Sequence, residues 1–377
     1  MMRACVLCAV VALGLSTVAA AQSRVDNWNR CTGDDPDASI SGCTALIQAG
    51  QESAANLAAA YVSRGVAYGQ KHEYDRAMAD YNDALRVDPS CALAYFNLGN
   101  AYSRRLEYDQ AIADYDQYIR LAPNDPDGFN NRGFVYDGKG DYDRAIQDYN
   151  EAIRLNPNHA TAFNNRGKAY YAKGEYDRAI QDYNEAIRLN PNYDTAFCNR
   201  GIAYYGKDDY DRAIQDSSEA IRLNPNYAKA FYYRGAAYDA KGDYDRAIRD
   251  YSEAIRLNPN YDHAFNNRCW DRAIRGDLHD ALSDCNESLR LLPHNADYFD
   301  SRAFTYLKMK NAAAAIADYS AALAINPKMA TSLYGRGLAE LIKGDKASAD
   351  ADIAAAKAID AKVADEFAKW GVPAPQP

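Results

Sequence analysis

The chain has 377 residues, 48% of them hydrophobic and 25% charged, and a net charge of −9. By length alone it could form two or three ordinary domains, but an acidic chain with no basic face is a poor phosphate binder, which excludes nucleic acid as a partner. Beyond the N-terminus no apolar run is long enough to predict a membrane span.

Residues 1–21 read as an export signal. Arg3 precedes an apolar run from Val6 to Leu15, and Ala19, Ala20 and Ala21 before Gln22 make an A-x-A cleavage site. The exported chain begins at Gln22 in this reading. A signal this short, with no other sorting element, suggests the bacterial periplasm, where disulfides persist. Residues 22–57 follow as a degenerate capping repeat. Cys31 and Cys43 fall there at positions 8 and 20 of the 34-residue frame that governs the rest of the chain, and Asp34, Asp35 and Pro36 supply a helix stop and the next cap. A Cys31–Cys43 bridge is expected, against the alternative of two buried thiols.

The segment Gly140–Asn158, GDYDRAIQDYNEAIRLNPN, returns almost unchanged from Gly174 and from Gly242, and a period of 34 residues marks a stacked array. With Pro157, Pro191, Pro225 and Pro259 at position 32, nine units run over 58–91, 92–125, 126–159, 160–193, 194–227, 228–261, 262–295, 296–329 and 330–363. Position 20 is alanine in every unit and position 8 is always small, so two helices must cross closely there. Helix A is expected over positions 2–14 and helix B over about 15–30, ended by Asn-Pro. Position 7 is arginine in all units but the second, where Leu98 stands, and position 23 is always aspartate. An antiparallel pair would bring the two together as a repeated ion pair that fixes register. Cys269 and Cys285, at positions 8 and 24 of the seventh unit, allow a second bridge. Residues 364–377 close the chain as an end helix over Ala364–Trp370, with Phe367 and Trp370 covering the last repeat, and a proline-rich tail.

Small residues at 8 and 20, aromatics at 4, 11 and 17, and proline at 32 resemble the tetratricopeptide repeat family over about 306 of the 377 residues. The resemblance implies an all-α, right-handed superhelical solenoid of about nine helix-turn-helix repeats, with N- and C-terminal caps. It also implies a concave face lined by helix A. Position 6 there carries Asn97, Asn131, Asn165, Asn199 and Asn267, position 5 adds Asn130, Asn164 and Asn266, and Tyr171, Tyr205, Tyr232 and Tyr233 are candidate aromatic anchors. An amide both donates and accepts, so such a row can hold the main chain of an extended peptide whatever its sequence. The alternative is that Asn-Asn-Arg-Gly is copied repeat sequence facing water. The lysine- and arginine-rich carboxylate clamp of the family's cochaperone branch is missing, since positions 2, 5 and 6 hold only scattered cations such as Lys229.

No catalytic or cofactor motif is found, the five histidines lack metal-ligand spacing, and the segments flanking the repeats are too short for a catalytic domain. The expectation is a non-enzymatic periplasmic scaffold for protein-protein interaction, with no cofactor and no metal, that binds extended peptide segments of other proteins in its groove. The alternative is a structural assembly component, self-associating as a homo-oligomer or packing on a fixed partner through its convex face or ends.

Overall fold

A computed structural model of the chain describes residues 21–373. The expected signal, residues 1–21, lies outside the described residues except for Ala21, as does most of the proline-rich tail. The described residues are helical, with no strand among them. They divide into two compact units, one ending at Glu175 and one beginning at Tyr176.

The first unit holds α1 (residues 21–31), α2 (Pro36–Ala49), α3 (Ala54–Gln70), α4 (Tyr74–Val87), α5 (Ala92–Arg104), α6 (Tyr108–Leu121), α7 (Pro126–Gly138), α8 (Tyr142–Leu155) and α9 (Ala160–Ala172). The second holds α10 (Tyr176–Leu189), α11 (Asp194–Tyr205), α12 (Tyr210–Leu223), α13 (Ala228–Ala240), α14 (Tyr244–Leu257), α15 (Asp262–Arg275), α16 (Leu278–Leu291), α17 (Ala296–Lys308), α18 (Ala312–Ile325), α19 (Ala330–Lys343), α20 (Lys346–Ile359) and α21 (Val363–Lys369). Within each unit consecutive helices pack in pairs and each pair stacks on the next, a helical-repeat solenoid.

Local chemistry sets these boundaries. Between the two helices of a repeat, position 15 takes a left-handed conformation, as at Gly140, Gly174 and Gly242 with φ of 78°, 78° and 75°. His72, Leu106, Asp208 and Lys310 hold the same conformation without glycine, each at roughly 1 kcal/mol of backbone strain. One residue later Asp141, Asp209 and Asp243 accept the N–H of Arg144, Arg212 and Arg246, capping the B helix. Apart from α3, which begins at Ala54, the A helices begin at position 1, as in Ala160 and Ala228, one residue before the expected start.

Close approach at position 8 is steric. A Cβ added to Gly133 would lie 2.9 Å from Cε1 of Tyr149 and 3.2 Å from the carbonyl oxygen of Ala145. Tyr149 and Ala145 are buried, so any larger residue would force the helices of that pair apart.

Both cysteine pairs are at disulfide-bonding distance. Cys31 and Cys43 join α1 to α2 with Cα atoms 4.6 Å apart, and Cys269 and Cys285 join α15 to α16 at 5.4 Å. At the other end α21 starts at Val363 rather than Ala364 and buries Phe367 against Tyr334, with ring centroids 4.9 Å apart.

Candidate functional site

In the first unit the A-helix amides are linked to one another from repeat to repeat. Asn131 donates from Nδ2 to Oδ1 of Asn100 at 3.2 Å and accepts from Nδ2 of Asn130 at 3.1 Å. One repeat later Asn165 donates to Oδ1 of Asn130 at 3.2 Å and accepts from Asn164 at 3.4 Å. Asn130 and Asn164 at position 5 are buried, whereas Asn131 and Asn165 at position 6 are half-buried. An amide has two N–H groups and two lone pairs. Asn131 also bonds the buried Tyr115 hydroxyl, so it uses both donors and one acceptor and keeps one lone pair. Asn97 is set apart from the chain, lining with Asn100 a cavity of about 920 Å³ bounded by α3, α4 and α5. Tyr171 is half-buried at the end of α9.

The second unit replaces amides by phenols. Tyr205, Tyr233 and Tyr232 come together, with ring centroids 6.3 Å and 5.1 Å apart in sequence along the group, and Tyr232 lies 4.9 Å from Tyr261. Asn267 donates to the hydroxyls of Tyr232 at 3.3 Å and Tyr251 at 3.4 Å, and accepts from Asn266 at 3.5 Å. Burial pushes the Tyr232 phenol up, so it stays a neutral donor. Asn199 is buried in α11.

Sequence spacing missed half of the arginine's work. Arg200 grips Asp216 through Nε and Nη2, both at 2.7 Å, and its remaining Nη1 reaches back to Oδ1 of Asn184 in the preceding B helix at 2.6 Å. Arg234 and Arg268 repeat the grip on Asp250 and Asp284 and reach back to Ser218 and Ser252. The arginine thus ties each repeat internally and to its predecessor. Position 25 supplies the second partner, and its run of Asn82, Asp116, Asn150, Asn184, Ser218, Ser252, Asn286 and Ser320 was a readable signal; the ninth unit, with no repeat after it, has Ala354.

The pair's two members respond differently. Burial raises the Asp216 carboxyl despite the opposing pull of Arg200. Burial is also the largest influence on Arg200, lowering it, but the bonds and charge of Asp216 together leave it raised. The carboxylate is the more buried partner, at 6% side-chain exposure against 19% for Arg200. Desolvation nearly cancels attraction there, so the pair specifies register more than it adds stability.

Among the described residues no group of three or more His, Cys, Asp or Glu side chains could hold a metal, and no helix is long and apolar enough to cross a membrane.

Tetratricopeptide repeat models match residues 62–126, 114–147, 195–227, 228–261 and 302–364, and a TPR repeat model matches 138–174 and 167–208. Three solved structures share the fold. The anaphase-promoting-complex hetero-tetramer Cut9-Hcn1 is 15% identical, covering 84% of this chain and 76% of its own, with a TM-score of 0.56. A tetratricopeptide repeat protein from Parabacteroides merdae is 22% identical over 65% of this chain and 98% of its own, with a TM-score of 0.51. The pilF protein of Pseudomonas aeruginosa is 21% identical over 57% of this chain and 98% of its own, with a TM-score of 0.52. At these identities the likeness is one of fold. No curated protein matches the chain significantly.

Proposed function

The chain belongs to the tetratricopeptide repeat family, and on that premise we propose that it is a non-catalytic periplasmic scaffold holding extended segments of other proteins along its A helices. The observation that carries this reading is the amide chain of the first unit. Asn131 and Asn165 each accept from the asparagine before them and donate to an asparagine of the preceding repeat, Asn100 at position 9 and Asn130 at position 5, and both are half open to solvent. Adjacent helices are about 8–10 Å apart and an extended chain advances about 3.3 Å per residue. Successive position-6 amides therefore meet a peptide main chain roughly every third residue. The tyrosines at 205, 232 and 233 supply apolar area that neutral hydrogen bonds alone do not. The signal-like residues 1–21 and the two cysteine pairs at bonding distance support export.

The test is the double change Asn131→Ala with Asn165→Ala. At about 0.5–1.5 kcal/mol per neutral hydrogen bond, it should weaken a panel of unrelated extended peptides roughly 5- to 150-fold in fluorescence anisotropy, with helicity intact by circular dichroism. Unchanged binding of every peptide would transfer the work to the outer face or ends, the assembly-component reading. That alternative draws on Ile325, Ile342 and Ile359, large apolar side chains exposed on the last three long helices.

A further inference from the structure

One corner of the second unit carries chemistry that the repeat pattern does not call for. A cavity of about 220 Å³ is lined by Asp239 at the end of α13, Asn266 and Trp270 of α15, Asp297 and Asp300 of α17, and Trp370 after α21. No lysine or arginine lines it. The two indoles stand edge to face with centroids 4.9 Å apart, forming two walls at right angles. Lys308, the cation that touches this corner, is engaged by main-chain carbonyls, donating to Ile274 and Trp370 at 2.9 Å each, and so fixes Trp370 in place. Asn266 is 9% exposed, and its buried carbonyl oxygen accepts from no group. A buried acceptor without a donor is a standing penalty of about 1–3 kcal/mol, and here it belongs to a residue beside the cavity.

We propose that this corner receives one basic side chain, lysine or arginine, from the extended segment held along the A helices. Three carboxyls, those of Asp239, Asp297 and Asp300, line it with no lysine or arginine among them, and an indole face attracts a cation within about 6 Å of its centroid. Burial pushes Asp300 up to about 6, and burial together with the facing Asp239 raises Asp271, which lies behind the wall at a position that is small or apolar in the other units. A bound cation would reverse that push for the groups it touches. Metal is the poorer occupant, because the carboxylates do not converge into a group able to hold one.

The proposal rests on the groove reading for the origin of its ligand, but the pocket can be tested without it. The whole chain is titrated with N-acetyl-lysine methylamide, N-acetyl-arginine methylamide and N-acetyl-norleucine methylamide while indole N–H resonances are followed. Trp28, the third tryptophan, is the internal reference. Trp270 and Trp370 should shift saturably with a basic probe and not with norleucine, and the stronger responder identifies the side chain. Asp297→Asn, at an exposed position that leaves folding intact, should raise the apparent Kd roughly tenfold, as should Asp239→Asn. Equal response to norleucine, or none to either basic probe, overturns the receptor. Extended peptides that bind equally after lysine and arginine are replaced by norleucine also overturn it while sparing the groove. Basic probes that bind when extended peptides do not would uphold the pocket and remove the groove.

Discussion

Helix pairs α5–α6 and α11–α12 occupy equivalent places in the repeat and differ at the residue that closes it. In the second pair Arg200 holds Asp216; in the first, position 7 is Leu98, buried, and Asp114 faces no cation among the described residues. Burial alone pushes the Asp114 carboxyl up to about 6. The aspartate is thus part of the copied repeat whether or not it is paired, and without the arginine nothing opposes the push of burial on its carboxyl.

That contrast can be broken from either side. The largest effect should come from Asp216→Ala, which leaves a four-fifths-buried guanidinium without its partner, at about 3 kcal/mol of unfolding free energy. Adding Arg200→Leu should recover much of that loss in urea titrations, and equal midpoints for both variants would show that the charges are not coupled. Next is Asp114→Asn. A folded pKa near 6 lies above the unfolded value of about 3.9, so the native state is favoured by this group below about pH 4 and loses that advantage as pH rises through 6. At neutral pH the substitution should therefore stabilise by about 1–2 kcal/mol, discounted for the partial exposure of Asp114, and the gain should vanish below pH 4. Thermal melts across that range measure it, and a gain that persists at low pH refutes the assignment. Leu98→Arg should sharpen the same point: carboxyl carbon resonances should show Asp114 titrating about one unit lower, with a stability change of about 1 kcal/mol at most. The smallest effect is Asn184→Ala, which removes the backward arm of Arg200 at about 0.5–1 kcal/mol. No loss there would reduce the inter-repeat bond to a surface contact.

The repeat phase, the close crossing at positions 8 and 20, the arginine–aspartate pair and both cysteine pairings were legible because each is a periodic or one-dimensional signal. The row of asparagines was legible too, but not its internal bonding. Whether Asn130 turns inward and Asn131 outward depends on the rotation of α7 against its neighbours, which two adjacent identical letters do not encode. The acidic corner was hidden for another reason. Asp239, Asn266, Asp297 and Trp370 come from four different elements with no common spacing, and they meet only after α21 folds back over α17 and α19. The one advance sign was Asp271, a charge at a position otherwise small or apolar.

The missing arginine at residue 98 has a mechanical consequence. Of the B helices that are followed by a further repeat, α4 packs most sparsely on its successor, and the 920 Å³ cavity opens between these same helices. Position 25 of the preceding repeat, Asn82, meets no guanidinium and donates to the carbonyl of Met78 instead. A rod tied at regular intervals shares tension among its ties, and one omitted tie behaves as a fuse. Under a pull along the first unit, α1 to α4 should part from α5 as a block before any clamped seam yields, with its outer helices still stapled by Cys31 and Cys43. The yield point would thus lie beside Asn97 and Asn100, where the amide row begins.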